Sequence, residues 1–154
     1  MSKFFTEQII TEATESIAIS EYNSQDEAER AFHKVFADNI GGENVEFVRC
    51  KVINASGGQI MNENWQVPAP EPVEGEDPEP VVEIQKYYFT QIRFGVNGSI
   101  QRSMTAYDTE DEALVAYHNL LYSLMANEQI AAVTVLIEDR RGAELHRRYW
   151  ERKA

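Results

Sequence analysis

The sequence predicts an α+β fold in which a ββαββ unit is written twice, the copies being joined by an acidic, proline-rich segment. Three observations carry this. A shift of 85 positions lays Tyr22 on Tyr107, Asp26-Glu27-Ala28 on Asp111-Glu112-Ala113, His33 on His118, Gly57 on Gly142 and Trp65 on Trp150, and an internal repeat constrains architecture before any single motif does. Each copy holds one helix-start signature followed by an alternating strand and a glycine turn. All five prolines fall between Gln66 and Gln85, beside six acids and no base.

In the first copy (1–65), Phe5 and Ile9 match Tyr88 and Ile92 at a shift of 83. From that change of shift the first hairpin loop is expected to be two residues longer than its counterpart. Ser24-Gln25-Asp26-Glu27 has capping-box spacing, a hydroxyl for an early helical N–H and a glutamate to reach back. Ala28, Ala31, Phe32, Val35 and Phe36 follow on one helical face. Val48, Cys50 and Val52 alternate as a strand, and Ala55-Ser56-Gly57-Gly58 makes a turn.

Residues 66–85 read as an extended, solvated linker, because proline and glutamate in that density cannot build a core. In the second copy (86–154), Tyr87 to Phe94 is rich in aromatic and β-branched residues, and Asn97-Gly98 is a hairpin turn. Ile100 to Ala106 returns as a strand. Thr109-Glu110-Asp111-Glu112 is the second capping box, its carboxylates placed where the helix dipole favours them. Ala113, Ala116, Tyr117, Leu120, Leu121 and Leu124 form the apolar face; Val133, Val135 and Ile137 alternate. Arg141-Gly142 turns the chain, and Glu144 to Trp150 closes the unit.

A unit of about 60 residues is marginal alone. The sheet face opposite the helix would carry Ala132, Thr134 and Leu136, too apolar to be left in water. The copies are therefore expected to pack as a pseudo-twofold pair, joining sheets edge to edge, stacking them or exchanging strands.

The chain is 43% hydrophobic and carries a net charge of −12. Residues 1–65 and 66–85 contribute −6 each and the remainder is neutral. Acidic bulk repels nucleic acid and anionic membranes. The exception is the C-terminal end, where Arg140, Arg141, Arg147, Arg148, Arg152 and Lys153 face only Glu144 and Glu151. No apolar run is long enough to span a membrane. The N-terminus lacks the apolar stretch and cleavage site of a secretory signal, and a single cysteine excludes an internal disulfide framework.

Candidate binding residues are Trp65 and Trp150, which end their copies and suit a partner's pocket or simply cover area within the fold. Arg147, Arg148, Tyr149 and Trp150 set cations beside aromatics, as a single-strand nucleic-acid surface does. On a strand, however, Arg147 and Arg148 point to opposite faces, and an electrostatic match to the acidic first copy or linker is the favoured role. His33 and His118 hold equivalent helix positions and could meet as a metal or proton-donor pair, but no ligand spacing supports metal, and rim packing explains them. Cys50 reads as a buried hydrophobe. No phosphate loop, nucleophile elbow, zinc motif or dinucleotide fingerprint occurs. The expectation is thus a non-enzyme with no cofactor and no metal.

The run Lys86-Tyr87-Tyr88, then Tyr107-Asp108-Thr109-Glu110-Asp111-Glu112-Ala113 with Ala116-Tyr117-His118, then Tyr149-Trp150-Glu151, resembles short uncharacterised proteins of tailed phages and prophages of gut bacteria. The likeness covers the second copy well and the first loosely, with Asn64 at the place of Tyr149 and Gln66 at that of Glu151. It implies a setting, the host cytoplasm or the virion, and no catalytic residues. The function expected is a virion-associated or assembly accessory protein acting through a protein partner or self-association. The alternative is an acidic inhibitor of a host nucleic-acid-binding or defence protein.

Overall fold

The computed structural model describes residues 3–68 and 85–153. Its elements, in order, are β1 (Phe4–Thr11), β2 (Glu15–Tyr22), α1 (Gln25–Asn39), β3 (Phe47–Asn54), β4 (Gln59–Gln66), β5 (Tyr87–Gly95), β6 (Ile100–Tyr107), α2 (Glu110–Met125), β7 (Ile130–Asp139) and β8 (Glu144–Glu151). The fold is α+β, with two four-stranded antiparallel sheets ordered β2-β1-β3-β4 and β6-β5-β7-β8. Of the proline- and glutamate-rich segment 66–85, residues 69–84 lie outside the described residues. On its near side, β4 ends at Gln66, and the Val67 amide donates to Glu46 O at 2.9 Å.

Both helices start where their caps dictate. Ser24 and Thr109, each in extended conformation, accept from the amides of Glu27 and Glu112 at 3.2 Å. Glu27 returns the contact to the Asn23 amide at 3.2 Å, so two early amides gain partners. Each helix then lays its apolar stripe on one sheet. Ala28, Phe32 and Phe36 pack over Val48, Cys50 and Val52. Likewise, Ala113, Tyr117 and Leu124 cover Val133, Val135 and Ile137.

The β1–β2 and β5–β6 hairpins correct the expected loop lengths. Thr11 pairs with Glu15, leaving Glu12 to Thr14 in the first loop, whereas Phe94 pairs with Ile100 and leaves Gly95 to Ser99 in the second. The longer loop belongs to the second half. A shift that grows from 83 to 85 across the hairpin places the added residues in the later segment.

Strand alternation then hands the opposite sheet faces to one another. Phe5 and Ile53 of the first sheet bury with Ile92 and Leu136 of the second. Ile9 and Phe47 meet Tyr88, with Ile17, Met104 and Ala106 at the margin. Ala132, Thr134 and Leu136 are all buried here, so the sheets stack face to face, giving four layers: helix, sheet, sheet, helix. Each fully buried Phe, Ile or Leu on these inner faces contributes about 1.5–3 kcal/mol. β3 and β7, covered on both sides, are the most buried strands.

Polar contacts fix the stacking register. The Thr134 hydroxyl donates to Ala55 O at 2.5 Å. Asn62 Nδ2 donates to Arg141 O at 3.0 Å, and Arg102 Nε to Ile19 O at 3.2 Å. The Tyr88 hydroxyl donates to Glu15 at 2.9 Å. At the β3–β4 turn, Gly57 has φ +87°, and a Cβ there would lie 3.0 Å from Leu136 Cδ2 and 3.0 Å from Thr134 Cγ2. The turn thus presses on the opposite sheet at a point where only glycine fits.

Gly57→Ala is expected to destabilise the protein by about 2–3 kcal/mol, combining left-handed strain with overpacking. Gly98→Ala, at φ +85° with nothing near its Cβ, is expected to cost only the backbone part, about 1–2 kcal/mol. Urea denaturation of both variants measures the difference; equal costs would mean the close approach at Gly57 is unimportant.

Candidate functional site

The sequence-derived candidates are distributed by strand alternation rather than gathered. Trp65 opposes Val48 and packs on the α1 side of its sheet, while Trp150 opposes Val133 on the α2 side of the other. The two indoles therefore lie in separate layers, each half-buried in its own core. The Arg152 guanidinium sits 5.1 Å from the Trp150 ring. Arg148, opposing Val135, shares that outer face. Arg147 and Tyr149 oppose Leu136 and Thr134 and face the first half instead. Arg147 also approaches Glu144 at 3.6 Å.

The basic C-terminal end is largely engaged within the molecule. Arg140 stacks on the Phe47 ring at 4.2 Å, across the sheet interface. Arg152 donates to Ile130 O, Met125 O and Asn127 O, where it satisfies carbonyls at the α2 C-terminus.

His33 and His118 are not brought together. Each is exposed on a helix at opposite outer layers, its ring edge-on to the preceding aromatic: Phe32 at 5.2 Å and Tyr117 at 5.1 Å. His146 makes the closer polar contact, 3.1 Å from Glu110. Cys50 is buried under α1, and burial pushes its thiol up to about 12, which keeps it protonated and non-nucleophilic.

Two clefts occupy corresponding ends of the halves. One, of about 570 Å³, is lined by Lys3, Phe4, Asn54, Ala55, Ile60 and, from the opposite half, Tyr149. The other, of about 240 Å³, is lined by Lys86, Tyr87, Glu110, Asp139, Arg140 and Leu145. The first is mostly neutral and the second charged, with acids and bases mixed.

The densest chemistry lies between the sheets and was not among the sequence-derived candidates. Glu7, Arg49, Lys51 and Glu138 are all fully buried. Arg49 Nη2 donates to Glu138 Oε1 at 2.8 Å and Nη1 to Asp139 O at 3.0 Å. Lys51 Nζ donates to Glu138 Oε2 at 2.7 Å and Gly142 O at 3.2 Å. Glu138 is thereby clamped by two cations from the other half. Glu7 lies 3.7 Å from Arg49, and neither of its oxygens has a hydrogen-bond partner.

Burial pushes Glu7 well above the ordinary carboxyl range, and the neighbouring Glu138 charge adds to the rise. Burial thus favours the neutral form of Glu7. Burial acts upward on Glu138 too, but Arg49 and Lys51 outweigh it and bring it down to about 2. Glu138 is the single carboxylate between two cations. The signal available in the sequence was charge at matched inner-face positions: Glu7 against Thr90, Arg49 against Thr134, Lys51 against Leu136 and Glu138 against Ile53.

Among the described residues no helix is long and apolar enough to cross a membrane, and no group of three or more His, Cys, Asp or Glu could hold a metal ion. No family model, curated protein or solved structure matches the chain.

Glu138→Gln is expected to cost about 3–5 kcal/mol near neutral pH, since it leaves two buried cations without their anion. A depressed carboxyl contributes stability that is complete above the ordinary glutamate range and lost as pH falls toward about 2; the cost should therefore shrink in acid. Glu7 has the opposite sign: its raised value contributes stability in acid that is lost as pH rises through its folded value. Glu7→Gln is thus expected to stabilise at alkaline pH by about 1 kcal/mol and to do little at pH 4. Urea midpoints across that range read both, and a Glu7→Gln effect independent of pH would refute the neutral-acid assignment.

Proposed function

We propose that this chain is a tandemly duplicated ββαββ protein that works without catalysis, through protein–protein contacts. Its setting is a tailed phage or prophage, where it serves as a virion-associated or assembly accessory component. The observation that carries the contact reading is the outer face of α2. From Ala113 to Asn127 the chain has no charged residue. Val115, Tyr122 and Met125 are 61%, 85% and 44% exposed. At the matching places the first half has Arg30 and Ala37 on α1 and an exposed Ile40 just past its end, with Lys34 and Asp38 paired at 2.7 Å between Arg30 and Ile40. The two helices start from equivalent caps and cover equivalent sheets, so the fold does not require an apolar outer face on α2. Exposed apolar surface of this kind marks contact sites.

The duplication is supported by strand order and by matched contacts across the sheet interface. Gly57 presses on Leu136 and Arg147, while Gly142 lies against Lys51 and Asn62, the residues 85 positions earlier. The buried charges break that symmetry: the cations all come from the first half and their anion from the second. The first half is therefore built to pair with the second and not with itself.

Two measurements test this reading. Segments 1–68 and 85–154, produced separately and mixed, are expected to associate one to one. A first segment that folds alone as a stable monomer would break the pairing argument. Quantitative proteomics of purified particles is expected to find the protein at fixed stoichiometry; its absence from particles but presence in infected cells would remove the virion-associated role.

A further inference from the structure

We infer that one water molecule is held between the two sheets, hydrogen-bonded to Glu7, Thr90 and Arg49. All three residues are fully buried, and each carries hydrogen-bonding groups that the chain does not satisfy. Both Glu7 carboxyl oxygens, the Thr90 hydroxyl and Arg49 Nε have no hydrogen-bond partner among the described residues. The other nitrogens of Arg49 are engaged, Nη1 with Asp139 O and Nη2 with Glu138. Polar groups closed off from solvent and left unpaired by the chain are satisfied in native proteins by ordered water.

The stacking brings these groups to one place. Phe5 packs with Ile92, and Ile9 with Tyr88. Glu7 stands midway between Phe5 and Ile9 on β1, and Thr90 midway between Tyr88 and Ile92 on β5, each on its strand's inner face. The two strands therefore cross with Glu7 over Thr90. These are also equivalent positions of the repeat, at the shift of 83 that matches Phe5 to Tyr88, so the pair lies on the pseudo-twofold axis. Arg49 is alongside, 3.7 Å from Glu7. The large pairs on either side hold the sheets apart, while threonine is short, and the space before its hydroxyl suits a molecule of one heavy atom.

The chemistry selects water over an ion. Arg49 Nε only donates, the Thr90 hydroxyl donates and accepts, and Glu7 accepts when ionised and does both when neutral. A water can serve all three in either state of Glu7. An anion there would face the Glu138 carboxylate, and a cation would face Arg49 and Lys51, in surroundings that screen poorly. Arg49 Nη2 and the Lys51 ammonium are committed to Glu138, and the water gives Glu7 the partners they do not supply.

A high-resolution crystal structure of the full chain tests this directly. It is expected to show a water within hydrogen-bond reach of the Glu7 carboxyl, the Thr90 hydroxyl and Arg49 Nε, and a bromide soak is expected to leave no ion there. In solution, magnetic relaxation dispersion of water counts the long-lived internal molecules. Thr90→Val, close in shape, is expected to lower that count by one because a hydroxyl partner is lost. Thr90→Ser, which keeps the hydroxyl, is expected to preserve it. Circular dichroism checks that both variants stay folded; should Thr90→Val fail to fold, the crystal structure of the unaltered chain decides alone. A Glu7 carboxyl bonded directly to Thr90 or Glu138 with no water between overturns the inference, as does a bromide peak at the site. A water count indifferent to Thr90→Val overturns it too.

Discussion

The structure depends on one carboxylate. Glu138 lies between two sheets, fully buried, and holds Arg49 and Lys51 of the opposite half at 2.8 and 2.7 Å. Removing Glu138 leaves both cations without their anion in a medium that solvates them poorly. The apolar contacts around them, Phe5 and Ile53 on Ile92 and Leu136, supply most of the attraction but little direction. The charges supply direction, because they are satisfied in only one stacking register. Glu7, whose neutral form burial and the Glu138 charge both favour, completes the arrangement.

This division explains why the helices are on the outside. Each four-stranded sheet has two faces, and its helix covers one. The other face mixes apolar residues, which water serves poorly, with charged ones, which an apolar partner leaves unpaired; a complementary sheet serves both. The layers follow, and with them the complete burial of β3 and β7 and the half-exposure of the edge strands. The helices are left with free outer faces, and those faces differ. α1 bears Arg30, Lys34 and Asp38, while α2 bears Val115, Tyr122 and Met125.

Much of the secondary structure was legible because local rules govern it. Ser24 and Thr109 cap the helices as their spacing from Glu27 and Glu112 implies, and Gly98 adopts the positive φ of a hairpin turn. The alternation of Val48, Cys50 and Val52 marked a strand and its helix-facing side. The same alternation leaves Arg49 and Lys51 on the far side, where they look like ordinary solvated residues. Their partner Glu138 is 87 to 89 residues away, and no spacing rule joins them. The grouping of Arg147, Arg148, Tyr149 and Trp150 failed for a related reason: neighbours on a strand face opposite ways, so adjacency in sequence separates them in space.

Cys50 offers a last consequence. It is the one thiol in the chain, fully buried between α1 and the first sheet. Nothing comparable exists in the second half, where Val135 takes its place. A bulky thiol reagent can reach it only when α1 lifts from its sheet, so modification kinetics at Cys50 clock the breathing of one half of the sandwich while remaining blind to the other.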